Sequence, residues 1–211
     1  MNRIIKGFWI SVASVCVLTF LGCGTSQPSH FYLLRALSPA SVSGLSESEP
    51  SSLSIGLGPV TLPPYLDRPQ IVTKTSAHEV DLAEFHKWAE PLKENVSHVL
   101  AENLSALLST DRIQQYPWKG STPVDYQIAV DVLQFDGTMG GEAVLVARWS
   151  VLGDDEKTVS TTKKTHVTHN PTSQDYEALV EAMSRNLENL SREIAGAINA
   201  LSPRIPHGLA P

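Results

Sequence analysis

Cysteine is nearly absent from this 211-residue chain: there are two, Cys16 and Cys23, both in the first 23 positions. That excludes a disulfide-rich scaffold and a cysteine-based zinc site. Basic residues are also scarce, 16 against 22 acidic ones, for a net charge of −6. A nucleic-acid binder needs a basic stripe to neutralise phosphates, so this balance argues against one. No apolar run reaches the roughly 20 residues that a spanning helix requires. Enzyme signatures are missing too: there is no Gly-x-Ser-x-Gly, no His-Glu-x-x-His and no P-loop. Gly56-x-Gly58 lacks a third glycine, because position 61 is Thr61, and so is no dinucleotide fingerprint. What remains is an ordinary globular composition, 42% hydrophobic and 18% charged. A domain of this length buries about 70% of its unfolded surface and needs no staple.

The N-terminus reads as an address. Arg3 and Lys6 precede an apolar run from Phe8 to Leu21, with the length and flanks of a secretory signal peptide over residues 1–22. The run ends in Thr19-Phe20-Leu21-Gly22-Cys23, which resembles a bacterial lipobox. Gly22 and Cys23 match that motif, while Phe20 stands where leucine is usual. The alternative is an ordinary signal peptide with a free thiol, but no A-x-A site follows. The resemblance makes Cys23 the point of lipid attachment, with acyl chains of the palmitate type, and residues 23–30 a lipidated tether. Stable anchoring needs more than one chain, since each buried methylene contributes only about 0.8 kcal/mol. Gly24 is not the aspartate that retains lipoproteins at the inner membrane, so the implied destination is the outer membrane. Cleavage removes Cys16, Arg3 and Lys6, which leaves a more acidic mature chain whose one cysteine is acylated. The covalent lipid on Cys23 is then the only non-protein group expected, with no cofactor or metal.

The rest reads as a single α+β domain over residues 31–201. It has an antiparallel or mixed sheet with two long amphipathic helices packed on it. Strands are expected at Phe31–Leu34, Ser54–Val60, Gln70–Thr75, Asp81–Phe85, Arg112–Gln115, Asp125–Phe135, Ala143–Leu152 and Lys157–Val167. Tyr126, Ile128, Val130 and Val132 share a face, then Leu133 and Phe135 switch phase, which a β-bulge near Val132 explains. Ala143–Leu152 reads as a central strand and Lys157–Val167, rich in Thr and Lys, as an exposed edge. Gly153 to Glu156 is the hairpin turn between them.

The first helix is expected from Glu90 to Ser109, with Pro91 in its first turn. The second should span Ser173 to Leu201 and be capped by Thr172 or Ser173. Its seam of Tyr176, Val180, Met183, Leu187, Leu190, Ile194, Ala197 and Leu201 covers the sheet or leaves one end for a subunit contact. Ser38–Ser52 is a mobile Ser-rich loop and residues 202–211 form a flexible tail.

Candidate chemistry is thin. His166 and His169 fall on opposite faces of a strand. His78, Glu79, Asp81, Glu84 and His86 are dense in potential ligands, but turns are commonly so composed. Asp131 and Asp136 have no evident partner acid or base. Trp88 and Glu90 read as a helix-start anchor and a first-turn acid.

The most distinctive stretch is Pro63-Pro64-Tyr65-Leu66-Asp67-Arg68-Pro69-Gln70-Ile71-Val72. Its prolines stiffen the backbone. Such a loop either presents Tyr65 and Leu66 to a partner, with Asp67 and Arg68 beside them, or is a rigid strand-to-strand crossover with both packed inside. With Gly22-Cys23, Phe31-Tyr32-Leu33-Leu34, Trp88-Ala89-Glu90-Pro91-Leu92, Glu102-Asn103-Leu104 and the Asp125–Phe135 strand, this block resembles the PqiC-type auxiliary lipoproteins of ABC-type transport systems. The resemblance implies a non-enzymatic outer-membrane lipoprotein whose domain faces the periplasm. Such a protein docks an MCE-domain protein that bridges the periplasm, and it supports lipid transport and envelope integrity. It also implies self-assembly, as a homo-oligomer. The rivals are an assembly or chaperone lipoprotein for another outer-membrane protein and a periplasmic hydrolase. The hydrolase would need a concave polar site with convergent acids or histidines.

Overall fold

The computed structural model describes residues 27–38, 51–118, 123–153 and 159–201. The expected signal peptide, Cys23, the 154–156 turn and the tail at 202–211 lie outside them, as do most of the Ser-rich loop and part of the tether.

Two helices cover one face of an eight-stranded mixed sheet in a single α+β domain. The strands are β1 (His30–Tyr32), β2 (Ile55–Thr61), β3 (Gln70–Lys74), β4 (Val80–Trp88), β5 (Ile113–Gln115), β6 (Tyr126–Gly137), β7 (Ala143–Gly153) and β8 (Val159–His169). The helices are α1 (Leu92–Leu108) and α2 (Tyr176–Leu201). All eight expected strands are present, within a few residues of their predicted limits. β7 lies between β6 and β8, and among the described residues β8 pairs with β7 alone, so the central and edge assignments hold.

The long strands alternate as a sheet with one covered face must. On β7, Ala143, Leu145, Ala147, Trp149 and Val151 are buried, while Val144, Val146, Arg148, Ser150 and Leu152 are not. The second set marks a sheet face that no helix among the described residues covers. On β6 the pairing steps from Val132 opposite Ala147 to Gln134 opposite Val146, which makes Leu133 the extra residue of a bulge. Past it, Phe135 turns to the helix side opposite Leu145 and Asp136 to the uncovered face opposite Val144.

α1 starts at Leu92 with Pro91 as the residue just before it, and ends at Ser109 in the left-handed region, φ 51°. α2 corrects the expected cap. The oxygen acceptor is neither Thr172 nor Ser173 but Asp175, whose Oδ1 accepts from the Ala178 amide at 2.8 Å. Ser173 donates to the other carboxylate oxygen at 2.6 Å. That amide bond, then the Ser173 hydroxyl, hold the Asp175 carboxyl below its usual range. The apolar stripe is wider than the predicted seam, because Leu179, Ala182, Asn186, Ser191 and Ile198 are buried with it.

The glycines of β2 have structural work. The β2–β6 register shifts between Leu57 and Val60, and Gly58 sits in the shift at φ +127°. A Cβ there would lie 2.5 Å from the Cβ of Tyr116. Gly58→Ala is therefore expected to destabilise by on the order of 2–5 kcal/mol, since backbone strain adds to a clash with a Cβ that moves only with the Tyr116 backbone, itself bonded to Leu57. Urea unfolding of the two proteins gives the difference directly.

Candidate functional site

β7 occupies one edge of β6 from end to end, so β2 and β3 share the other edge. Thr61 pairs with Asp131 and Thr73 with Gly137, both in parallel register. The chain between them is longer than the stretch of β6 beside it and must loop out. That loop is the proline-rich block. Pro64–Leu66 forms a 3-10 turn after Pro63, and the Asp67 amide closes it on the Pro64 carbonyl at 3.2 Å.

The turn splits the four predicted residues by role. Leu66 is 2% exposed and anchors the loop in the core, so it does not reach the surface. Tyr65 is half-buried, and its hydroxyl donates to Asp136 Oδ2 at 2.7 Å. Asp67 is exposed, and Arg68 is partly so. The Arg68 Nε is buried and finds no hydrogen-bond acceptor among the described residues.

Asp136 is fully buried although it points away from the helices. Beside Tyr65 it accepts from Gln134 Nε2 at 2.8 Å, and Lys74 Nζ lies 4.0 Å away. A buried carboxylate needs such company, because an unpaired one carries a desolvation penalty of several kcal/mol. Burial, then the hydrogen bond and charge of Asp136, push the Tyr65 phenol well above the ordinary tyrosine range. The phenol therefore stays a donor across physiological pH, and the loop is locked to β6.

Tyr65, Lys74, Leu133, Gln134 and the β3–β4 turn (residues 76–79) bound a shallow recess of about 410 Å³. Thr75 Oγ1 donates to Glu79 Oε2 at 2.9 Å and steadies that turn. Val80 and Leu82, just after it, are large apolar side chains left exposed. The locked loop, the recess and the exposed Val80 thus lie together at one end of the sheet.

The other candidates resolve into structural parts. His169 meets Asn186 of α2 at 2.8 Å, whereas His166 is exposed on the opposite face. His86 stacks between His30 and Tyr176, with ring centroids at 5.2 and 4.0 Å. Among the described residues no group of three His, Cys, Asp or Glu stands where it could hold a metal ion. Asp131 bonds Thr61 at 2.6 Å and faces Arg148 at 3.6 Å, apart from the Asp136 cluster. Trp88 is buried, and Glu90 accepts from Asn95 at 2.7 Å, with His98 Nδ1 3.7 Å away.

Sequence reading missed two residues, Asn95 and Asn103. Their Oδ1 atoms accept the Leu34 and Leu37 amides, each at 2.7 Å, and seat the incoming N-terminal segment between the helices. Asn103 also donates to Ser191 at 3.1 Å. The available signal was two amides inside an otherwise apolar stripe.

Comparison with known proteins fits this geometry. Residues 32–195 match the family described as an ABC-type transport auxiliary lipoprotein component. A crystal structure of an uncharacterised protein superposes with a TM-score of 0.66 at 19% identity, covering 82% of this chain and 99% of the other. Protein XCC0632 from Xanthomonas campestris superposes with a TM-score of 0.63 at 15% identity, covering 82% and 100%. At these identities the likeness shows the fold alone. A comparison with curated proteins gives no match. No helix among the described residues is long and apolar enough to cross a membrane.

Proposed function

The chain belongs to the ABC-type transport auxiliary lipoprotein component family, and on that premise we propose that it docks a periplasmic MCE-type lipid-transport assembly at the outer membrane. Cys23 carries the lipid, residues 24–30 give reach, and the domain supplies the contact. The role is non-enzymatic. The observation that carries the docking part of this reading is the Tyr65–Asp136 lock. It holds a proline-stiffened loop in one conformation, with Asp67 exposed and a guanidinium N–H of Arg68 left unsatisfied. A preorganised loop loses little entropy on binding, and the exposed Asp67 carboxylate is a group that a partner can meet. Tyr65, Asp67 and Arg68 form the contact surface in this account, and Leu66 is its inner anchor.

The lipid anchor concentrates the domain in a thin layer, so the protein contact itself can be modest. Pull-down from mildly crosslinked membrane extracts tests the proposal. Wild type should recover an MCE-domain protein, and Cys23→Ala should recover far less while leaving the membrane fraction. If wild type recovers no MCE-domain protein, the docking role is wrong. If it recovers one outer-membrane barrel protein instead, the assembly-factor reading takes its place.

A further inference from the structure

We propose that Phe31 and Leu33 form a membrane-contact patch seated in the headgroup region of the bilayer that holds the Cys23 lipid. The proposal rests on the lipid-anchor reading above and adds a second point of contact to it.

Phe31 is 64% exposed and Leu33 50%, although both are large and apolar. They alternate with Tyr32 and Leu34, so both leave the same side of an extended segment. Inward packing is already served by those two neighbours. Tyr32 sits against Tyr176 and bonds His86 Nδ1 at 2.7 Å, and Leu34 is 4% exposed. The fold therefore gives no reason for positions 31 and 33 to be apolar.

The segment is also held firmly. β1 pairs with β4, and the amides of Leu34, Arg35 and Leu37 bond Asn95, Ser184 and Asn103. An apolar pair on such a mount presents a fixed surface.

Chain length identifies what the pair meets. Seven residues separate Cys23 from Phe31. Even fully extended, that interval spans no more than about 28 Å, so the patch stays close to the bilayer surface. The two side chains themselves line an open cleft of about 770 Å³, together with Arg35, Glu177, Glu181 and Ser184. It holds both signs of charge, which suits a zwitterionic headgroup with one phosphate and one amine. Apolar Phe31 and Leu33 beside charged Arg35, Glu177 and Glu181 suit the interface, where apolar side chains meet the acyl boundary and polar groups stay at headgroup level.

The test uses the processed lipoprotein reconstituted in phosphatidylethanolamine and phosphatidylglycerol vesicles. With Cys16 removed and Cys23 acylated, one introduced cysteine is the only free thiol. Nitroxide labels go on Phe31→Cys, Leu33→Cys and, as a control, Val159→Cys, an exposed residue at the start of β8. Accessibility to oxygen should exceed accessibility to a water-soluble nickel complex at 31 and 33, with the reverse at 159. Protein that floats with the vesicles while labels 31 and 33 stay as wet as 159 overturns this proposal alone. Dipolar coupling between labels on two copies, with water excluded, also overturns it, because the occupant is then a second molecule. Protein that does not float overturns the anchor reading, and this proposal falls with it.

Discussion

Trp149→Ala is expected to lower folding stability by about 3–5 kcal/mol, the range for deleting a large buried aromatic. Trp149 is 1% exposed and sits in the middle of β7, the strand with neighbours on both sides. Its indole Nε1 donates to Thr165 Oγ1 of β8 at 2.8 Å, and that hydroxyl donates in turn to Glu193 of α2. Lys163 lies over the ring at 5.8 Å and 3.8 Å from the same glutamate. One side chain thus ties two strands and the longer helix together. Its removal leaves both a cavity and a hydroxyl without its indole donor. For a domain of this size each kcal/mol shifts Tm by roughly 2–4 °C, so the melting point should fall by about 6–20 °C. Trp149→Phe keeps an aromatic ring, loses the N–H together with two ring carbons, and should fall between the two. Calorimetry of the three proteins checks the order. Equal melting points would mean that the indole is not part of this tie.

Tyr65→Phe should cost about 1.5–3 kcal/mol, the range for a hydrogen bond to a charged group. It removes the one donor that joins the proline-rich loop to Asp136. Gln134 and the more distant Lys74 remain, so the carboxylate is not abandoned. The same change should weaken partner capture, because the loop loses its single conformation while Asp67 and Arg68 are untouched. The pH dependence tests whether the folded state holds the Tyr65 proton, through burial first and the bond to Asp136 second. Folding raises the Tyr65 pKa, so the folded state holds the phenol proton more tightly than the unfolded chain does. This contribution is complete below the unfolded value of about 10 and is lost as pH rises above it. Burial raises Tyr32 and Tyr176 as well, so wild type loses stability on the alkaline side through three phenols. Tyr65→Phe should start lower at neutral pH and decline less steeply above pH about 10. Parallel alkaline slopes for the two proteins would show that folding does not hold the Tyr65 proton, by burial or by Asp136.

Local signals carried much of this architecture. Period-2 patterning places the strands, and the phase switch at Leu133 places the bulge. The α2 seam was legible for the same reason, since its spacing depends only on helix geometry. Long-range pairing was not. Asp136 looks like the polar end of a strand, and its burial comes from Tyr65, which is 71 positions earlier. The Asn95 and Asn103 acceptors depend on where residues 34–37 cross the helices, which no periodicity encodes. The proline block shows the divide most clearly. Its stiffness could be read from composition. That Leu66 turns inward while Asp67 turns outward follows from two strands sharing one edge of β6.

Photo-crosslinking from position 67 tests the docking account most directly. A photoreactive residue replaces exposed Asp67 in the intact lipoprotein, and adducts formed in living cells are identified by mass spectrometry. A second probe at exposed Val159 serves as the distant control. The account predicts an MCE-domain protein as the main adduct from position 67, little or none from 159, and loss of the adduct with Tyr65→Phe. No MCE-domain adduct from position 67, or the same adducts in equal yield from both positions, would contradict it.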